Sequence, residues 1–210
     1  MNLTREAQNC LSWRRLGLAI LTLLLAFLVI AAAAQGAALQ LDPSQISVKF
    51  TLGDILHTVH GTFQLKHGAV ELDPASGKVS GEIVVDAKSG ASGSAIRDRK
   101  MHSEILESER YPEISFRPDS IEGAVAPQGE SSIRVHGMFN IHGVDREITV
   151  PAKVEMSLSR WTATVHFTVP YAKWGMKNPS TLFLHVNDSV EIDLLAAGNV
   201  VRAPIANSAQ

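Results

Sequence analysis

The sequence predicts an all-β fold, an antiparallel eight-stranded barrel with one short capping α-helix, on three observations. From Ile46 to Leu195 apolar residues recur at every second position, the period of strands with one face in water and one in a core. Turn residues divide this stretch into about eight such segments, mostly consecutive, which suits a closed meander better than two packed sheets. One segment only, from Ser94, changes to helical spacing. An eight-stranded barrel is just wide enough to be filled by its own side chains or to hold one slender ligand. The inward set here is aliphatic and aromatic, so a hollow interior would take a hydrocarbon chain.

The N-terminus stands apart from this pattern. Arg5, Arg14 and Arg15 precede an apolar run from Leu16 to Ile30, followed by Ala31 to Ala34, Gln35, Gly36, Ala37 and Ala38. Basic, apolar, then small residues are the layout of a secretory signal. Residues 1–38 are assigned to one, with cleavage after Ala34 or Ala38 and a periplasmic or secreted product. The other reading is a retained anchor, because Leu16 to Ala34 is about long enough to span a bilayer. Arg14-Arg15 lacks the remainder of a twin-arginine signal, which leaves general secretion.

Formal net charge is -2, and removal of residues 1–34 takes it to -4. An acidic chain is a poor nucleic-acid binder, since phosphate contacts need a basic face. The only cysteine, Cys10, lies in the presumed signal, so the mature chain has neither a disulfide nor a lipoprotein attachment point. About 170 residues are enough for one domain to stand on its core without such staples.

Ile46, Val48 and Phe50 form the first alternating set, and His57, Val59, Gly61, Phe63 and Leu65 the second. The turn Asp73-Pro74-Ala75-Ser76-Gly77 leads into Lys78 to Asp86, with Val79, Gly81, Ile83 and Val85 inward. Gly61, Gly81 and Gly137 inside regular strands predict bends or bulges. Ala87 to Gly93 reads as a small, polar loop. Ile96, Met101, Ile105 and Leu106 then fit a helix starting near Ser94 and stopped by Pro112. Strands resume at Glu113–Phe116 and Ser120–Val125. After the loop 126–131 comes the clearest one, with Ile133, Val135, Phe139 and Ile141 on one face and Arg134, His136, Asn140 and His142 on the other. His142 to Asp145 is a tight turn into Ile148, Val150, Val154, Met156 and Leu158, with an edge-like irregularity or bulge at Pro151. Trp161, Ala163, Val165, Phe167 and Val169 follow, then an aromatic-rich connection from Pro170 to Thr181, and a last strand through Val190, Ile192 and Leu194. The tail 203–210 is expected to fray.

Eight histidines raise the question of a metal. His57 and His60, three apart, point to opposite faces of a strand, while His136 and His142 share a face about 20 Å apart at ~3.3 Å per residue. Neither pair chelates one ion, and no structural-zinc spacing occurs; no metal and no cofactor are expected. His57 has the parity of Val59, Phe63 and Leu65, which makes it either a hydrogen-bond donor to a ligand head group or a satisfied rim histidine. Ser92 and Ser94 sit in no G-x-S-x-G elbow, and turn formation with helix capping explains them. Arg97 and Asp98 open the helix. Either Arg97 grips an anionic head group, or the pair ties helix to barrel. Tyr171, Trp174, Met176 and Phe183 either line an adaptable mouth or close one end of the core.

Taken in order, Asp42-Pro43, Phe50, Gly61-x-Phe63, Arg97-Asp98, Tyr111-Pro112-x-Ile114-x-Phe116, Gly137-x-Phe139-x-Ile141-His142-Gly143 and Asp188-x-Val190-x-Ile192 resemble the YceI-like family of exported bacterial proteins, over about Leu39 to Ala197. The resemblance implies a lipocalin-like barrel capped by a helix, spanning 39–202 here, whose elongated apolar channel binds polyisoprenoid lipids such as isoprenoid quinones or prenyl phosphates. Two stretches depart from the family pattern. Gln45-Ile46 stands where a His-Ser pair is common, and Pro170 to Met176 replaces an Asp-Arg-Ser-type segment.

The expectation is therefore an exported binding or carrier protein without catalytic residues, holding an isoprenoid lipid or quinone. Its ligand-binding set is Phe50, Phe63, Phe116, Phe139 and Phe167, with His57, Trp174 and Arg97 at the rim. Transient membrane contact and a homodimer are compatible with it. An enzyme acting on an apolar substrate would need His57, His142 and Asp98 to converge, and an interaction module would show a filled core and a partner-binding edge near Pro151.

Overall fold

β1 (Ala37–Leu41) and β2 (Ser47–Gly53) occupy a single stave of a closed barrel. Both lie between β3 (Thr58–Asp73) and β9 (Val190–Arg202), β1 at one end and β2 at the other. A 3-10 turn, Pro43–Gln45, separates them, capped by the Asp42 carboxylate, which accepts from the Ser44 amide at 3.0 Å. The remaining strands, β4 (Lys78–Ala91), β5 (Glu113–Glu122), β6 (Gly129–Ile141), β7 (Val144–Met156) and β8 (Arg160–Val169), follow as an antiparallel meander, and pairing of β3 with β4 closes the sheet. Nine strands thus make eight staves. The computed structural model describes residues 37–53, 57–73, 76–182 and 184–202. The signal assigned to the N-terminus, but for Ala37 and Ala38, and the tail from Ala203 lie outside them.

Gln35–Gln210 is a compact unit by itself, with its sheet closed among the described residues. Its first strand begins at Ala37 rather than after Ala38. That start was hidden because the alanines of β1 continue the alanine run before them.

Several boundaries move for local reasons. β4 continues to Ala91 through the stretch read as a loop, with a bulge: Thr62 pairs with Ala91 and Gln64 already with Asp86. The Ser89 hydroxyl fills the gap by accepting from the Gln64 amide at 2.8 Å and donating to the Asp86 carbonyl at 2.6 Å. β5 is one strand instead of two, broken only by a register shift between Pro118 and Ser120. At Pro151 the β6–β7 register runs on unbroken. The β7–β8 ladder begins at Ala152, so the missing Pro amide hydrogen costs no ladder bond toward β8. The irregularity is an edge and not a bulge.

Helix α1 (Ala95–Lys100), preceded by Ser94 in extended conformation, passes directly into a π-helical turn, Met101–Ile105. Glu107, with φ 45°, turns the chain left-handed and ends the helix well before Pro112. Met101, Ile105 and Leu106 face the barrel as expected, whereas Ile96 is 79 % exposed. Of the three strand glycines, Gly81 has φ 118° and sits inside the β4–β5 register shift between Lys78 and Ile83. Gly61 is different: it pairs in register with Phe50, whose ring lies where a Cβ would be. It makes room for an aromatic ring, one residue before the β3–β4 register shift between Thr62 and Gln64.

Candidate functional site

Alternation along the staves turns an apolar face inward all the way round, and these faces do not meet. They enclose a cavity of about 670 Å³ running between the two ends of the barrel. Its far end is walled by Leu72, Val79, Ile133, Val154 and Trp161, within one buried cluster. Its near end is walled by Leu106, Phe139, Ile141, Tyr171 and Met176, within a second. Helix α1, the π turn and the loop around Pro179–Val186 border the near end, where Ser92, Arg97 and Lys100 supply its polar lining. The cavity reaches the surface there, since Ile96, Arg97 and Leu184 line it and are themselves exposed.

The five phenylalanines of the sequence reading all border this space: Phe50, Phe63, Phe116, Phe139 and Phe167. Phe50 and Phe63 pack at 5.4 Å between ring centroids, and Phe139 meets Phe167 edge-on at 6.0 Å. Arg97 borders it also. Two of the named residues do not. His57 is exposed just before the first residue of β3, beyond the last β2–β3 pair, where strand parity no longer fixes direction. Trp174 packs at a tilt against Phe139, with centroids 6.0 Å apart, and beneath the Arg146 guanidinium, 4.8 Å from its ring centre. Arg146 also donates to the Trp174 carbonyl at 2.7 Å. The turn 170–176 thereby covers the open edge of β7 ahead of Pro151. Of the other aromatic-connection residues, Tyr171 and Met176 line the cavity and Phe183 lies outside the described residues.

The polar groups at the mouth are tied into a small clamp. The Asp98 carboxylate accepts from the Ser92 amide at 2.8 Å and from the Ser92 hydroxyl. Arg97 donates from Nε to the Ser92 hydroxyl at 2.8 Å and from its terminal nitrogen to the Ser92 carbonyl at 2.9 Å. Hydrogen bonding from Ser92 holds the Asp98 carboxyl below its usual range. The pair ties helix to barrel through a serine, while Arg97 forms no ion pair among the described residues. Lys100, three residues on, was missed; its spacing from Arg97 puts it on the same helical face, and its Nζ reaches the Pro179 carbonyl at 3.4 Å. Tyr171 donates to the Asn187 carbonyl at 2.6 Å, and burial, with Asp188 nearby, pushes its hydroxyl up to about 12. Trp161 carries a buried indole N–H without an acceptor among the described residues.

The residues an enzyme would need are engaged elsewhere. His142 lies 3.2 Å from Glu107 and against the Tyr111 ring, Asp98 is held by Ser92, and neither they nor His57 border the cavity. Among the described residues no group of three or more His, Cys, Asp or Glu is placed to hold a metal ion.

Comparison with known proteins bears on family and fold. A family model, the YceI-like domain, matches residues 39–197. Over 97 residues the chain is 34% identical to UPF0312 proteins of Pseudomonas putida strains W619 and GB-1, covering 45% of this chain and 48% of each relative. It therefore spans about half the length of the curated relatives it matches. Among solved structures, it is similar to Burkholderia cenocepacia BcnA, with a TM-score of 0.64 at 18% identity, covering 76% of this chain and 99% of that one. A polyisoprenoid binding domain from Saccharophagus degradans, implicated in plant cell wall breakdown, gives 0.62 at 15% identity, covering 80% and 99%. The YceI protein of Campylobacter jejuni gives 0.55 at 16%, covering 69% and 86%. Identities this low establish a common fold.

Proposed function

This chain belongs to the YceI-like domain family, and we propose that it is an exported carrier that holds an isoprenoid-type lipid inside its barrel without transforming it. The observation that carries this reading is the cavity of about 670 Å³ whose walls are mainly hydrocarbon, with Ser92, Ser94, Arg97 and Lys100 gathered at its mouth. Each buried methylene contributes about 0.8 kcal/mol, so a few isoprene units exceed the ~8 kcal/mol of a micromolar complex before the cost of ordering the chain. Affinity then comes from the chain, and isoprenoid quinones and other prenyl lipids fall within one binding class. That a similar barrel is a polyisoprenoid binding domain supports the choice of ligand. Export rests on the N-terminal sequence. Cleavage after Ala34 is the better of the two sites, because it leaves β1 whole, whereas cleavage after Ala38 removes two residues paired with both β3 and β9.

Native mass spectrometry and organic extraction of the protein purified from its own host test the reading. The expected result is a complex heavier than the chain that releases an unmodified prenyl lipid. A bare chain that also takes up no added prenyl quinone would overturn it. Release of a chemically altered lipid on prolonged incubation would instead favour an enzyme.

A further inference from the structure

We propose that the cavity mouth docks on an anionic lipid bilayer, so that cargo passes between membrane and barrel without crossing water. This rests on the carrier reading and adds a partner and a surface to it. The mouth displays large apolar side chains where a soluble surface would hold polar ones: Ile96 is 79 % exposed, Leu182 90 % and Leu184 36 %. Ile96 and Leu184 are also cavity-lining, so the exposed apolar surface continues into the apolar interior.

Thr181 and Leu184, on either side of Leu182, are bonded to each other. The Thr181 amide donates to the Leu184 carbonyl at 2.8 Å, and the Leu184 amide to the Thr181 hydroxyl at 3.2 Å. Lys177 pairs with Glu104 at 2.5 Å, and Lys100 reaches the Pro179 carbonyl; together they fasten the loop region to the helix. Leu182 is exposed on a segment tied to the helical region at Lys177 and Pro179.

Charge selects the partner. Arg97 and Lys100 border the mouth on α1, Arg99 lies on the same helix in a neighbouring depression with Lys88 and Glu109, and among the described residues none of the three forms an ion pair. Of the carboxylates on the same segment, Glu104 is paired with Lys177, while Asp98, hydrogen-bonded by the neutral Ser92, keeps its charge and offsets one of the three cations, so a positive surplus remains. The chain as a whole carries -2, so a surplus of cations at this apolar opening forms a local reversal of sign. Near an anionic leaflet each cation is worth about fivefold in partitioning, an attraction that falls off within a Debye length. An apolar residue entering the acyl boundary adds about tenfold. A neutral partner would use the leucines and ignore the cations.

The test uses the Gln35–Gln210 unit, whose sheet closes without the apolar N-terminal run, on phosphatidylcholine vesicles with and without phosphatidylglycerol. Co-sedimentation is expected with the anionic vesicles and is expected to weaken as salt rises. Leu182→Asp should lower partitioning about tenfold and Arg99→Glu at least about fivefold. Neither residue borders the cavity, so both variants should still take up dansyl-labelled farnesol, which also reports that they fold. Wild-type protein that takes up the probe yet ignores anionic vesicles overturns the docking surface and leaves the carrier reading standing. So does a wild-type dimer in ultracentrifugation that Leu182→Asp turns to monomer, since the face would then belong to a second copy. Failure of the wild type to take up the probe removes the carrier reading and this inference together.

Discussion

Phe50 shows how much one position depends on its neighbour across the sheet. Its ring covers Gly61 and packs on Phe63, so Gly61→Val drives the ring out of its place. Overpacking of this kind costs about 1–3 kcal/mol, read as a lower urea midpoint at unchanged slope; an unaltered midpoint would mean that the ring has somewhere else to go. A second residue-scale effect is electrostatic. On the barrel's outer face His136 and Asp119 meet at 2.8 Å. Asp119 raises the imidazole above its ordinary 6.5, with smaller help from Glu147 and Glu122, while Ser120 and then His136 lower the Asp119 carboxyl below its ordinary 3.8. A raised histidine stabilises fully below its unfolded value and loses this as pH climbs through the folded one. A lowered aspartate stabilises above its unfolded value and loses this as pH falls through the folded one. The pair therefore contributes most between the two ordinary values. His136→Gln should lower the melting temperature near about pH 5 and leave it unchanged near about pH 9; equal effects at both would show that the pair carries no linkage. The five cavity phenylalanines were legible because each falls in an alternating apolar run, even in β5, where Ser115 beside Phe116 also lines the cavity. His57 and Trp174 were not, since one lies past the end of strand pairing and the other in a turn, where no period indicates direction.

Helix α1, with the π turn, is held at the mouth by the Ser92 clamp, the Lys177–Glu104 bridge, the His102 bond to the Gly90 carbonyl and the packing of Met101, Ile105 and Leu106. Its N-cap residue, Ser94, makes no side-chain cap bond, so Asp98 reaching back to Ser92 supplies the fastening that a cap would give. Asp98→Ala should cost about 1 kcal/mol after discounting for exposure. It should speed release of a bound prenyl probe roughly fivefold, the rate equivalent of that energy. The exchange rate in stopped flow separates two cases: a faster rate makes the helix a gate, and lost stability with an unchanged rate makes it a fixed lid. The sequence shows this helix through its change of period and its cap-type serine. It hides the helix's early end, because Pro112 is the evident stop signal and the left-handed turn at Glu107 has no glycine to mark it. The β4 bulge is hidden likewise. Ala87 to Gly93 has loop composition, and only tertiary pairing with β3 keeps it in the sheet.

At the scale of the whole barrel, eight staves with inward hydrocarbon are plain from alternation, but whether the interior is filled or hollow is not. Alternation fixes which side chains point inward, whereas the barrel's stagger fixes how far apart they stand. Here small residues decide part of the answer. Ala152, Ala163 and Ala196 border the cavity within or against the far cluster that includes Leu72, Val79 and Trp161, so depth is available where larger side chains would close it. If the occupant is an extended prenyl chain, that depth is a ruler. Ala152→Phe and Ala196→Phe add rings to empty space, so they should cost less than the usual 1–3 kcal/mol of overpacking in a filled core. They should also shorten the longest prenyl lipid retained in native mass spectra while short chains bind as before. Ligand at a hundredfold excess over its dissociation constant should stabilise the wild type by about 2.7 kcal/mol. The variants should show that gain with short chains and lose it with long ones. Retention of the same chain lengths by both variants would place the lipid elsewhere than the far half of the barrel.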